Sequence, residues 1–435
     1  MLRPYVILST VPRLLLLLPT TTYRTAAFVE AVRQIGVELT VASEKASTLE
    51  AANPAGLLTL DFEQPERAAD AVRVFAQQYP INGVVGVDDR TALVAAAVAT
   101  KLQLKGNPVH AAVAASDKYL QRELLAKATV PIPRFVLRNL EEDPATIAKS
   151  ISYPCVLKPV RLSASRGVIR VDNAQSFATA HARLRAILAD PETAAACGDR
   201  ARQYLIEEFI PGYEVALEGL VVNRRLHVLA VFDKPDQLDG PFFEETIYVT
   251  PSSVPAGLQT AIRDCADRAV RALGITDGPI HAELRYNERG PWLIELAARP
   301  IGGRCSAVLR FGDKGVSLEE IIVRHALGMP IPSLQRERLA AGVMMIPIPG
   351  AGTLQEVSGI DAAKAVPLIE DVQITAHPGE RLVPFPEGSR YPGFIFARGE
   401  TPAVVETALR EAHSKLRFTL LPPQPPASAA APNPP

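Results

Sequence analysis

A chain of 435 residues with 48% apolar side chains exceeds one ordinary hydrophobic core, so it is globular and should divide into two to four domains. Its net charge of −1, without a long run of Lys or Arg, argues against nucleic acid or an anionic membrane as the main partner and leaves any basic site local. Four widely spaced cysteines, Cys155, Cys197, Cys265 and Cys305, show no Cys-x-x-Cys spacing, which excludes a zinc knuckle or disulfide framework and suits a reducing, cytoplasmic setting.

The only dense apolar run near the start, residues 14–18, is far shorter than the roughly 20 residues a membrane span requires. It lacks a small-residue cleavage site and leads into an amphipathic pattern, so it reads as a buried strand and not as a signal peptide. From there to about residue 115 short apolar runs alternate with helical patterns: strands at 14–18, 37–42, 57–60 and 84–87, helices at 25–35, 66–78 and 91–101. Such a βαβα series predicts an open, doubly wound parallel sheet. Residues Pro19 to Arg24 stand where a dinucleotide-binding Gly-x-Gly-x-x-Gly would follow the first strand, so a dinucleotide site is not expected. Their hydroxyls and Arg24 can cap the next helix or hold an anion, with capping the simpler role.

Ser116-Asp117-Lys118 opens a helix reaching Lys127, and Val130-Pro131-Ile132-Pro133 breaks it and starts a second domain. An apolar strand then ends in Lys158, directly before the small-residue loop Ser163-Ala164-Ser165-Arg166-Gly167. An ammonium beside flexible backbone amides can hold phosphate oxygens, although a surface Lys before a turn is the commoner case. Lys118, a cation at a helix start, opposes the helix dipole, and an anionic ligand would explain its presence. A strand follows at 168–171 and a helix at 175–188, after which strands dominate from 204 to 232. Within these, Tyr204 to Glu214 carries Glu207, Glu208, Phe209, Ile210 and Glu214, which suit either an acidic edge strand or a surface reading an adenine edge and ribose hydroxyls. One further helix is expected at 258–273.

Residues 281–303 form the most informative segment. Asn287 and Pro291 can close a three-residue loop, Glu288-Arg289-Gly290, with Gly290 supplying a left-handed conformation. Counting outward pairs Glu283 with Glu295, His281 with Ala297, and Arg285 with Leu293. His281, Glu283, Glu295 and Arg299 then share a face, with opposed Cβ atoms about 5 Å apart. Two facing carboxylates repel unless neutralised, and a hard divalent ion with phosphate oxygens in its other positions would do so. Salt bridges to Arg285 and Arg299 would serve as well. Beyond Arg299, Gly302 and Gly303 allow a substrate to approach the backbone closely.

The order Lys118, Lys158 with its loop, Glu207 to Ile210, Glu214, then Glu283, Glu295 and Arg299 resembles the ATP-grasp superfamily over roughly residues 116–330. That resemblance implies that Lys118 and Lys158, with Ser163, Ser165 and Gly167 of the loop, contact ATP phosphates. Glu207 and the backbone of Glu208, Phe209 and Ile210 would line the adenine, and Glu214 would bind ribose. Glu283 and Glu295 would hold Mg2+, with Mn2+ an alternative. Arg299 would face the reacting phosphoryl group, and His281 would act as a base or position Glu295 or Arg299. The implied architecture is α/β: an N-terminal doubly wound parallel-sheet domain (1–115) precedes an ATP-grasp fold of two α+β subdomains (116–330, lobes 116–205 and 206–330). A small C-terminal α+β segment (331–421), with a helix at 403–416, and a disordered Pro/Ala-rich tail (422–435) complete the chain.

Within that superfamily the segments Glu214-Val-Ala-Leu-Glu218-Gly-Leu-Val, Val231-Phe-Asp-Lys234, Glu295-Leu-Ala-Ala-Arg299 and Gly393 to Pro402 resemble the L-amino acid ligases that form dipeptides. The implied activity is carboxylate–amine ligation: ATP phosphorylates a carboxylate, and an amine displaces phosphate from the acyl phosphate. Small-molecule carboxylate and amine substrates are the implied partners, without nucleic acid or membrane, and a homodimer is compatible with this. Three departures stand out. The phosphate loop is poor in glycine; Ala297 occupies a position that often carries an Asn metal ligand; and Glu245-Thr-Ile-Tyr248 replaces a Glu-x-x-His pair at the amino acid site. Glu245 can still pair with a substrate ammonium. A carboxylase that activates bicarbonate and a non-catalytic ATP-binding regulator remain as alternatives.

Overall fold

A computed structural model describes residues 11–422. The described residues fall into two compact units, residues 11–133, 214–231 and 254–338 in the first, and residues 134–213, 232–253 and 339–422 in the second. The expected tail at 422–435 lies, but for its first residue, outside the described residues. Among the described residues no helix is long and apolar enough to cross a membrane, and all four cysteines are buried thiols.

The first unit begins with the expected parallel sheet, its strands ordered Leu57–Thr59, Glu38–Ser43, Arg13–Leu17, Gly83–Gly86. Leu14, Leu15, Leu16 and Leu17 are all fully buried, so both faces of the central strand are covered, which is why that run shows no polar alternation. Leu15 and Leu17 join a core with Ala68, Ala69 and Val72 of the helix Pro65–Phe75 and Val94, Ala97 and Val98 of the helix Asp89–Leu102. The strands Gly290–Ala297, Gly278–Asn287 and Tyr213–Val222 lie side by side in that order, and the strand Arg225–Asp233 borders the last. They pack on the helix Ala256–Leu273 through Val215, Leu217, Ile280, Ala282, Leu284, Leu293, Ile262, Ala266 and Val270.

The hairpin corrects the sequence reading at one end and supports it at the other. Asn287 pairs with Gly290, so the connection is the two-residue turn Glu288-Arg289 instead of the three-residue loop, and Arg285 faces Trp292 instead of Leu293. A bulge after Glu283 absorbs one residue on the opposite strand and restores the register, so that Glu283 still faces Glu295 and His281 faces Ala297. The outer strand is covered by the helix Lys118–Lys127, which Asp117 caps by accepting the Leu120 N–H at 2.9 Å. Its Gln121, almost fully buried, acts as a substitute strand: Nε2 donates to the Leu296 carbonyl at 2.7 Å, and Leu296 N–H donates to Oε1 at 3.1 Å. Arg122 donates to the Ile294 carbonyl. These bonds occupy an edge that would otherwise present bare peptide groups.

In the second unit the antiparallel strands Phe135–Asn139, Gln203–Glu208, Cys155–Pro159 and Ile169–Val171 pack against the helix Ala174–Ala189 through Leu157, Ile169, Phe177, Leu184 and Ile206. The strands Ile247–Thr250, Ala340–Met345, Gly393–Gly399 and Ile369–Ile374 form a second antiparallel layer, on which the helix Pro402–Lys415 buries Val405, Leu409 and Ala412. Three short strands, Arg381–Leu382, Gly352–Ser358 and Arg417–Leu421, complete the unit.

Gln121→Ala should leave the Leu296 N–H and carbonyl without partners inside the fold and cost about 1–3 kcal/mol, measured as the shift in denaturant midpoint at unchanged m-value.

Candidate functional site

The first unit gathers Lys118, Glu214, His281, Glu283, Glu295, Arg299, Gly302 and Gly303. The strands bring Glu283 and Glu295 opposite each other, and the cation that answers them is Lys118, whose Nζ stands 3.0 Å from Glu295 Oε1. This explains why a buried Lys begins a helix, since the carboxylate offsets its conflict with the dipole. Arg299 Nε meets Asp89 Oδ1 at 3.0 Å. Burial would push the Arg299 guanidinium down, but Asp89 and Glu295 more than offset this and raise it, keeping it charged. His281 lies between two other carboxylates, with Nε2 3.5 Å from Glu283 Oε1 and Nδ1 3.8 Å from Glu218 Oε2. A positional role for this ring is thus directed at Glu283 and Glu218. A carboxylate oxygen of Glu214 lies within 4.8 Å of one from Glu283, which places that residue beside the paired acids as well as at the strand start expected to meet ribose. Glu214 and Glu283, with carboxylate oxygens within 4.8 Å of one another, offer oxygen donors that suit a hard divalent ion.

The loop after Arg299 is held by residues that sequence reasoning missed. Glu218 is fully buried, and its Oε2 accepts the Ile301 N–H at 3.1 Å. Burial drives its carboxyl well above the usual carboxylate range, against the opposing pull of that bond and of Arg24 and Arg299. Arg24 donates to the Pro300 carbonyl at 3.1 Å and to the Ile301 carbonyl. Its side chain makes no capping bond to its helix. A Cβ on Gly302 would meet only the Tyr23 hydroxyl, at 3.7 Å, so backbone access there is open, and Gly303 adopts a left-handed φ of 57°. The signal for Glu218 was available, because an acid in the middle of an apolar strand needs a partner.

The second unit gathers Lys158, Ser163, Ser165, Gly167, Glu207, Glu208, Phe209, Ile210, Glu245 and Tyr248. Lys158 and Glu207 form a buried pair across adjacent strands, Nζ to Oε2 2.6 Å, so Glu207 neutralises Lys158. The amides of Glu208 and Phe209 donate to the Arg134 and Pro154 carbonyls at 2.8 and 3.2 Å, so they too are committed to the fold. The Phe209 ring carries the Arg170 guanidinium at 4.1 Å, and Ile210 is buried. In the loop, the carbonyls of Ser163 and Ser165 accept the Arg166 and Val168 amides at 3.4 and 3.1 Å. The Gly167 N–H donates to the Pro386 carbonyl at 2.9 Å. Ala164 and Ser165 both adopt left-handed φ values, 55° and 52°, where glycine would be at ease.

At the amino acid motif Glu245 is already engaged: Lys234 Nζ lies 2.6 Å from its Oε1, and the Tyr248 hydroxyl donates to the same oxygen. Tyr248 is buried, with Phe232 at 6.0 Å and Lys234 over its ring at 4.9 Å, and it holds Glu245 in place. Burial pushes the Glu244 carboxyl up, against the Ile348 N–H bond that lowers it.

Comparison with known proteins follows the same order along the chain. Residues 29–106 match the ATP-grasp N-terminal domain, 151–308 the ATP-grasp domain, and 344–420 the L-amino acid ligase C-terminal domain 2. The crystal structure of an L-amino acid ligase from Bacillus licheniformis superposes with a TM-score of 0.76 at 26% identity, over 94% of this chain and 99% of that one. A D-alanine–D-alanine ligase of Aromatoleum aromaticum is 30% identical over 50% of this chain and 67% of its own length. An alanine–anticapsin ligase of Bacillus subtilis is 26% identical over 56% of this chain, which spans about half of it, 53%. The chain belongs to the ATP-grasp superfamily, as a carbon–nitrogen bond-forming ligase of the L-amino acid ligase type.

Proposed function

We propose that the chain joins the carboxylate of one amino acid to the amine of another through an acyl phosphate, releasing ADP and phosphate. The observation that carries this reading is the set of opposed acids Glu283 and Glu295, with Lys118 on Glu295, Glu214 near Glu283, and Arg299 following on the same hairpin. Glu283 and Glu295 would hold Mg2+, which when bound supplies charge neutralisation for the phosphates of ATP. Glu214 stands close enough to Glu283 to help, which offsets the missing ligand at Ala297. Arg299, fixed by Asp89 and by the anchored loop behind it, presents a permanent positive charge to the transferred phosphoryl group. Lys158 takes phosphate oxygens, and the 161–167 loop excludes water from the acyl phosphate. Phosphoryl transfer asks little covalent work of the protein, so positioning and charge carry the rate.

The L-amino acid ligase and D-alanine–D-alanine ligase named among the relatives support amino acids as substrates, as does the match of residues 344–420 to an L-amino acid ligase domain. Because Lys234 neutralises Glu245, that carboxylate offers a substrate ammonium less net negative charge than a lone Glu would. Cytoplasmic placement agrees with the buried thiols.

Incubation with ATP, Mg2+ and pairs of amino acids, followed by mass spectrometry, should show a product lighter than the sum of its parts by one water, and phosphate release that needs both partners. Phosphate release that requires bicarbonate instead would move the protein to the carboxylases. Glu295→Gln should lower kcat by at least about 100-fold, beyond the 10–100-fold typical of residues one shell out, with full activity refuting the metal assignment.

Glu218 supplies a pH test. Its raised carboxyl pKa means the fold favours the protonated form, so its stabilising contribution is complete below the unfolded pKa of about 4.3 and declines as pH rises toward the folded value. Glu218→Gln keeps an acceptor for the Ile301 N–H without that decline. Its stability relative to the natural protein should therefore grow upward from about pH 4, read from urea midpoints across pH, and a flat difference would show that Glu218 is not a buried neutral acid.

A further inference from the structure

The 161–167 loop holds two successive non-glycine residues, Ala164 and Ser165, in left-handed backbone. Such conformations persist only where surrounding structure over-determines them. The restraint comes from a stretch more than 200 residues later, Pro384 to Tyr391. Gly167 N–H donates to the Pro386 carbonyl at 2.9 Å, and Arg166 Nε donates to the Glu387 carbonyl at 3.0 Å. The Glu387 carboxylate receives a fork of two bonds from Arg183, through Nε and, at 2.8 Å, through NH2. Arg183 in turn stands 4.5 Å over the Phe242 ring, at the start of the stretch that leads into Glu245.

We propose that Arg183 and Glu387 are positioning residues for the phosphate loop, through which the C-terminal segment holds residues 161–167 in the conformation they use over ATP. The inference rests on assigning that loop to phosphate binding. A bidentate fork suits the task, because it sets orientation as well as distance, and a Lys at 183 would not replace it. The bond lowers the Glu387 carboxyl, consistent with a charged pair at neutral pH. Both side chains are partly exposed, 38% and 40%, so removing one charge should have a modest effect, about 1.5- to 5-fold. Reversing one should do more, since Glu387→Lys sets a cation against both Arg183 and Arg166.

The test measures ATP affinity directly, together with the KM for ATP, kcat, and the ratio of ADP formed to amide product. Glu387→Lys should raise KM for ATP about tenfold, a 1.4 kcal/mol effect, and raise the ADP-to-product ratio as water reaches the acyl phosphate. The exchanged pair Arg183→Glu with Glu387→Arg should recover most of the loss. Ala164→Gly with Ser165→Gly should alleviate it too, by removing the backbone strain that the anchor restrains. A Glu387→Lys variant that melts like the natural protein and keeps its KM and product ratio would overturn the proposal, as would an exchanged pair no better than the single reversal. Ser163→Asp with Ser165→Asp is the control for the underlying reading. If ATP affinity ignores those carboxylates, the loop does not bind phosphate; if affinity responds to them but not to position 387, only the positioning role fails.

Discussion

Two carboxylates held face to face on neighbouring strands cannot both stay charged without a cation, and the first unit is organised around that constraint at Glu283 and Glu295. The backbone ladder sets their separation, so the repulsion cannot be relieved by moving apart. Lys118 answers one acid, while His281 stands by the other. Lys118 can be there only because its helix is locked to the hairpin edge by Gln121 and Arg122. The loop that continues the strand is fastened by Glu218 and Arg24, and Arg299 is tied to Asp89.

The second unit uses the opposite device. Lys158 with Glu207 and Lys234 with Glu245 are ammonium–carboxylate pairs closed within the protein, each in or at the edge of the interior. A buried pair adds little net stability over apolar packing, whereas losing one partner strands a charge. Their value therefore lies in holding a lysine at a defined place with its charge intact.

Much of the fold was legible in the sequence because periodicity follows directly from burial. The run at residues 14–18 and the helix at residues 25–35 emerged within a residue or two, since one is covered on both faces and the other on one. The helix Leu318–Ala326 was overlooked even though Ser317 and Glu320 mark its start, and Ser317 does cap it. The hairpin shows a subtler case. The loop count was wrong by one and a bulge on the far strand was invisible, yet the acids came out opposed because the two errors cancel. No local pattern announces a bulge, as its position depends on how the strand must bend to meet its neighbours.

By itself the sequence determined which elements form, the identity of the acids and cations, and their order, because propensity, apolar periodicity and chain spacing act over a few residues. Only the tertiary structure decided who partners whom. Glu207 turned to Lys158, Glu245 to Lys234, Arg299 to Asp89 and Gly167 to Pro386, pairings separated by 11 to 219 positions. A charge or a peptide group selects its partner by distance and desolvation in the folded interior, and neither quantity exists until the chain has closed on itself.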